Sequence, residues 1–191
     1  MIERIRFLLN LSRAHGIARR YFFTNGYDGA LTMLGLIMAF YVTDHVPIPT
    51  VINACLGAAI ALCISGLSSA YISESEERKK ELLELEGALV DDLGDTEHGK
   101  ASKWVPIWIA LVNGLAPLLV SLFIISPLWM AQVGVPLPLP PLESSILSAL
   151  LAIFLLGLFL GKASGSLWLW TGLRALLIAL ITCLIIFILE L

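Results

Sequence analysis

The amino-acid sequence predicts an all-α integral membrane protein: five transmembrane helices, an N-terminus in the cytosol, and a second span that extends into an acidic cytosolic helix. Three observations predict it. Of 191 residues, 58% are hydrophobic and 14% charged, where soluble domains carry roughly 25% charge. The apolar residues fall in runs of 18 or more with at most one charge each, enough to cross a hydrocarbon core of roughly 30 Å at about 1.5 Å per residue. The Lys and Arg residues, finally, collect on alternate connections.

The leader 1–20 interleaves Ile2, Ile5, Leu8, Leu9 and Ile17 with Arg4, Arg6, Arg13, Arg19 and Arg20. Its apolar run is too short for a secretory signal. It reads as an amphipathic helix on the inner membrane surface or as a solvated basic leader that fixes topology. Span one, Tyr21 to Thr43, is interrupted by Asn25, Gly26 and Asp28. An acid at membrane depth costs a few kcal/mol or more on insertion scales and reads as an ion or proton site. The competing reading places Asp28 near the inner headgroups or at a helix start. One turn on lies Thr32, and the same helix offers Met33 and Met38, soft thioethers that serve as apolar filler elsewhere.

Span two, Pro49 to Ile72, carries a small-residue face of Ala54, Ala58, Ala61, Ser65, Ser68 and Ser69, suited to close helix packing. No proline interrupts Thr50 to Lys103, so this helix is expected to run into the cytosol to about Gly87 or Gly94. The segment 73–103 holds ten of the fifteen acids, from Glu74 to Glu97. At about 100° per residue, Glu74, Glu77, Glu81 and Glu84 stack within one sector. Like charges at this spacing repel without a counter-ion, and hard divalent cations take such oxygen ligands. They form a candidate metal-capture face. The competing reading is a solvated helix held by ion pairs, with Glu74–Arg78 and Glu76–Lys80 at the favourable spacing. Leu82, Leu85 and Leu89 add an apolar stripe that calls for a packing partner.

Span three is expected at Trp104 to Ser126, span four at Ser144 to Gly161 and span five at Leu167 to Leu189, making 104–191 the second membrane block after 21–72. The connection Pro127 to Glu143 contains five prolines and is expected to be extended, with no room for a helix. It carries no Lys or Arg, and neither does Asp44 to Ile48. Arg78, Lys79, Lys80, Lys100 and Lys103 lie on the opposite side, with Lys162 and, by snorkelling, Arg174. By the positive-inside rule the N-terminus is cytosolic. Cys55, Cys63 and Cys183 all fall in spans and imply no disulfide framework. His15, His45 and His98 stand apart, no catalytic constellation or Walker glycine-lysine motif is present, and the chain does not read as an enzyme.

Several short motifs recur together in one known family. Tyr27-Asp28-Gly29 opens span one, Tyr71-Ile72-Ser73 closes span two ahead of the acidic helix, and Phe154-Leu155-Leu156-Gly157 and Gly172-Leu173-Arg174-Ala175-Leu176-Leu177-Ile178 lie in the last two spans. In order and spacing, over about Phe22 to Leu189, the chain resembles the vacuolar iron transporter (VIT) family. The resemblance implies a homodimer that carries Fe2+ or Mn2+ out of the cytosol in exchange for protons, with no permanently bound cofactor and no nucleic-acid partner. Asp28 matches the family's membrane aspartate, which receives the stripped ion. Two departures matter: Gly66 stands where the family has a methionine, and Ala70 where it has a glutamate. Cys63 or Met33 is the candidate substitute sulfur ligand, so the transport path is expected to include Asp28, Thr32, Met33 and Cys63, with Asp28, Glu74, Glu77, Glu81 and Glu84 as metal ligands. The membrane would be the cell membrane in a prokaryote and an organelle membrane otherwise. The alternatives are a membrane-anchored metal-sequestering or regulatory protein without transport, and a transporter of another small solute with Asp28 as proton relay.

Overall fold

The computed structural model describes residues 14–43, 45–89, 92–94 and 96–189. Among them the chain is all-α, with five helices and no strand: α1 Ala14–Val42, α2 Ile48–Leu89, α3 Glu97–Gln132, α4 Pro141–Ala163 and α5 Trp168–Leu189. Most of the expected leader helix lies outside the described residues; 14–20 is continuous with α1.

Four helices, α2 to α5, are long and apolar enough to cross a membrane. This fits a multi-pass membrane protein. The helix α1 is long enough at 29 residues but is not among the four, because Asn25, Tyr27 and Asp28 dilute its apolar run.

As expected from the absence of proline beyond Pro49, α2 runs 42 residues to Leu89, about twice the length a bilayer core requires. The next helix begins with a side-chain cap: Thr96 Oγ1 accepts the Gly99 N–H at 3.4 Å and donates to the Leu93 carbonyl at 2.6 Å.

The expectation of an extended segment from Pro127 to Glu143 is corrected. The helix α3 continues through Pro127 to Gln132, α4 starts at Pro141, and only 133–140 is non-helical. Two local reasons account for this. A proline at 127 frees the carbonyl of Phe123 four residues back, and the Ser126 hydroxyl donates to that oxygen at 2.7 Å, the kind of repair that lets membrane helices carry proline. Pro141 occupies the first turn of α4, where a missing N–H costs nothing.

The described residues divide into two units. One comprises 14–22 and, among 63–115, the described residues; the other comprises those of 23–62 and 116–189. The core of the second unit gathers Ala30, Met33, Leu34 and Ile37 of α1 with Val51 and Cys55 of α2, Ile124 and Leu128 of α3, Ile153 of α4 and Ala179 of α5, all essentially inaccessible. Glycines let the helices approach. A Cβ on Gly29 would lie 2.8 Å from the Pro117 Cα, and one on Gly157 would lie 2.9 Å from the Gly172 Cα. Such close backbone approach at small residues is how membrane helices associate. In the first unit Ala101, Val105 and Ile109 pack with Ile17, Ala18 and Tyr21.

Candidate functional site

Asp28 lies on α1 one residue before the Gly29–Pro117 crossing. That crossing turns Gly29 inward, and Asp28, about 100° around the helix, is exposed at the surface of the second unit. Its neighbour Tyr27 donates its hydroxyl to the Ala175 carbonyl at 3.4 Å. Among the described residues the Asp28 carboxylate makes no hydrogen bond or ion pair.

Two residues expected beside Asp28 have other attachments. The Thr32 hydroxyl donates to the backbone carbonyl of Asp28 at 2.8 Å, so it serves the helix and not the carboxylate. Met33 is 0% exposed within the apolar core, where it acts as filler; five positions on, it faces about 140° away from Asp28. The serines of α2 also bond their own helix: Ser68 donates to the Ile64 carbonyl at 2.7 Å.

Gly66, the departure from the family pattern, has a structural explanation within the first unit. A Cβ there would lie 3.1 Å from both the Asn113 carbonyl oxygen and the Gly114 Cα, so α2 and α3 nearly touch and a methionine would not fit without separating them. Asn113 is buried and donates its Nδ2 to the Gly66 carbonyl at 2.7 Å. Cys63 is buried at the same crossing, its carbonyl oxygen 2.6 Å from where a Cβ on Gly114 would stand. Asn113 is the residue that sequence reasoning missed. A lone amide inside span three was its legible signal.

The acidic face of α2 is organised around Arg78. This side chain is buried; its Nη1 lies 2.6 Å from Glu81 Oε2 and its Nη2 3.8 Å from Glu74 Oε2. Glu74 is buried too, and Tyr21 of α1 donates a hydrogen bond to its carboxylate. Burial raises the Glu74 pKa above its ordinary value, the charges of Glu81 and Glu77 add to the rise, and Arg78 with the Tyr21 hydroxyl pulls against it.

Glu77 and Glu84 are exposed, and Lys80 lies 3.9 Å from Glu84. The expected Glu74–Arg78 pair is therefore present, while Lys80 turns toward Glu84. Leu85 and Leu89 of the apolar stripe are exposed.

The face thus combines both sequence readings. The carboxylates are stacked, and an internal cation occupies the place between two of them. Among the described residues no three His, Cys, Asp or Glu side chains are grouped closely enough to hold a metal ion within one chain. Comparison with models of known protein families, with curated proteins and with solved structures finds no match.

Proposed function

We propose that this chain is a divalent-metal transporter of the VIT type, moving Fe2+ or Mn2+ out of the cytosol by proton exchange. The observation that carries the reading is Asp28: a carboxylate without a partner among the described residues, on the open side of a helix whose opposite side is core. A buried acid could be structural and a headgroup-level acid incidental. Within an apolar bundle, an acid turned outward has use for an ion, water or a second copy of the chain.

In this reading α1 is the fifth span. Its hydropathy falls short of the other four, but its residues 30–37 are shielded by apolar side chains of α2 to α5, so less of it must meet lipid. The positive-inside pattern then puts α2's acidic extension in the cytosol. Glu74, Glu77, Glu81 and Glu84 collect the ion there, and Asp28 receives it once stripped. Arg78 competes with the metal for Glu74 and Glu81, so loading exchanges one cation for another. Protons displace the metal from carboxylates by removing charge and lone pairs, which couples release to a proton-rich far side. The exposed Leu85 and Leu89 of α2, on the same stripe as the exposed Ile64, leave an apolar surface that a homodimer would cover.

The test is flux of Fe2+, Mn2+ and other divalent ions into proteoliposomes of purified protein under an imposed pH gradient. Metal uptake that collapses with the gradient supports the proposal. Metal binding without uptake favours the anchored metal-sequestering protein, and uptake indifferent to metal and chelator favours a transporter of another solute.

A further inference from the structure

The same end of the second unit holds a feature that ion transport does not use. Between α1, α4 and α5 runs an open groove of about 210 Å³, lined by Phe23, Leu156, Leu160 and Ile178, with Thr171 and Arg174 at its polar edge. The groove is smaller than the roughly 300 Å³ that compact ligands fill, and its lining is apolar. It suits a length of a single hydrocarbon chain.

Arg174 is the second half of the feature. It is exposed, its guanidinium stacks 5.3 Å above the Trp170 ring, and among the described residues no acid pairs with it. It stands six residues into α5, about 9 Å along the axis from Trp168. Trp168 and Trp170 are both exposed and mark the depth at which aromatic side chains meet headgroups. Lys162 closes α4 at this end, where the Gly161 backbone packs on Trp168 and Thr171. Arg174, with no acidic partner among the described residues, thus stands at the edge of an apolar groove at interfacial depth. Basic pockets between membrane helices are where anionic lipid headgroups bind.

We infer that this groove seats one anionic phospholipid, an acyl chain between α1, α4 and α5 and its phosphate on Arg174. Charge decides the class of lipid: a zwitterionic headgroup brings its own cation to Arg174, whereas phosphatidylglycerol does not. The site is independent of metal transport. A chain in the groove lies against Phe23 one turn before Tyr27, so a seated lipid braces the segment that presents Asp28.

Native mass spectrometry of the full chain in mild detergent tests this, with phosphatidylglycerol or phosphatidylcholine of identical acyl chains added. Retention of phosphatidylglycerol should exceed that of phosphatidylcholine, and Arg174→Gln should lower it about fivefold, the share expected of one basic residue, leaving phosphatidylcholine unchanged. Arg174→Lys should keep most of it. Ile178→Trp, which fills the groove, should lower retention of both lipids; should that variant unfold, Leu160→Trp replaces it. Glycerol phosphate at the same concentration should not displace the lipid. Equal retention of the two lipids, an Arg174→Gln variant that binds phosphatidylglycerol as before, displacement by glycerol phosphate, or groove variants that change the oligomeric state without changing lipid retention would each overturn the assignment.

Discussion

Replacing Arg78 with methionine removes the cation from the buried cluster on α2 while keeping most of its apolar stem. At 3.8 Å from Glu74 and an effective dielectric of about 20, the attraction is about 4 kcal/mol. The contact with Glu81 adds about 1 kcal/mol or less, because that carboxylate is half exposed. Relief of the buried guanidinium's desolvation offsets part of the sum, and one-sided removal of a buried pair costs about 3–5 kcal/mol in other proteins. The expected loss is about 3 kcal/mol at neutral pH. Hydrogen exchange of peptides covering 70–89 reads the opening of this segment, and exchange about 100-fold faster than wild type is expected. The deficit depends on pH. Burial holds the Glu74 pKa above its ordinary 4.5, so the stability contributed by the neutral acid is whole below pH 4.5 and is lost as pH rises through the folded-state value. Arg78 limits that loss. The deficit of Arg78→Met should therefore shrink as pH falls toward 4.5, and Glu74→Gln in the same chain should restore most of it. Exchange at wild-type rates, or a deficit independent of pH, would refute the buried pairing.

Other substitutions report on single contacts. Gly29→Ala sets a Cβ 2.8 Å from the Pro117 backbone, which cannot yield as a flexible side chain would; a loss of about 1–3 kcal/mol is expected in an SDS unfolding titration, and a neutral result would remove the crossing. Asn113→Leu loses the 2.7 Å bond to the Gly66 carbonyl and should cost about 1 kcal/mol in the same titration, within the range for polar contacts between membrane helices. Glu84→Ala breaks an exposed 3.9 Å pair and should change stability by less than about 0.5 kcal/mol. Under the transport proposal, Arg78→Gln should tighten Mn2+ binding to the acidic face, measured by calorimetry at pH 7, because it removes the competing cation.

The reach of the sequence differs between elements for physical reasons. Apolar runs and the absence of proline are local properties, so four helices of membrane-crossing length and the long extension of α2 could be read directly. Pro127 misled because its ring argues for a break, while the repair by Ser126 depends on one rotamer at the preceding position. The helix α1 was the least legible by composition, since Asn25 and Asp28 dilute its apolar run and the burial of Ala30, Met33, Leu34 and Ile37 depends on side chains distant in sequence. At the acidic face, spacing correctly placed Arg78 against Glu74; the burial of both beneath Tyr21 needed the fold. Gly66 looked like a missing ligand. The structure gives it a different task, because Asn113 and Gly114 press against it from α3.

The central proposal is that Asp28 receives a stripped divalent cation on its way through the membrane. The most direct test is the initial rate of Mn2+ and Fe2+ uptake into proteoliposomes by wild type and Asp28→Asn, at matched protein content and matched thermal stability. Abolished flux in the variant, with metal binding at the acidic face retained, is the predicted result. Equal rates in the two proteins would contradict it.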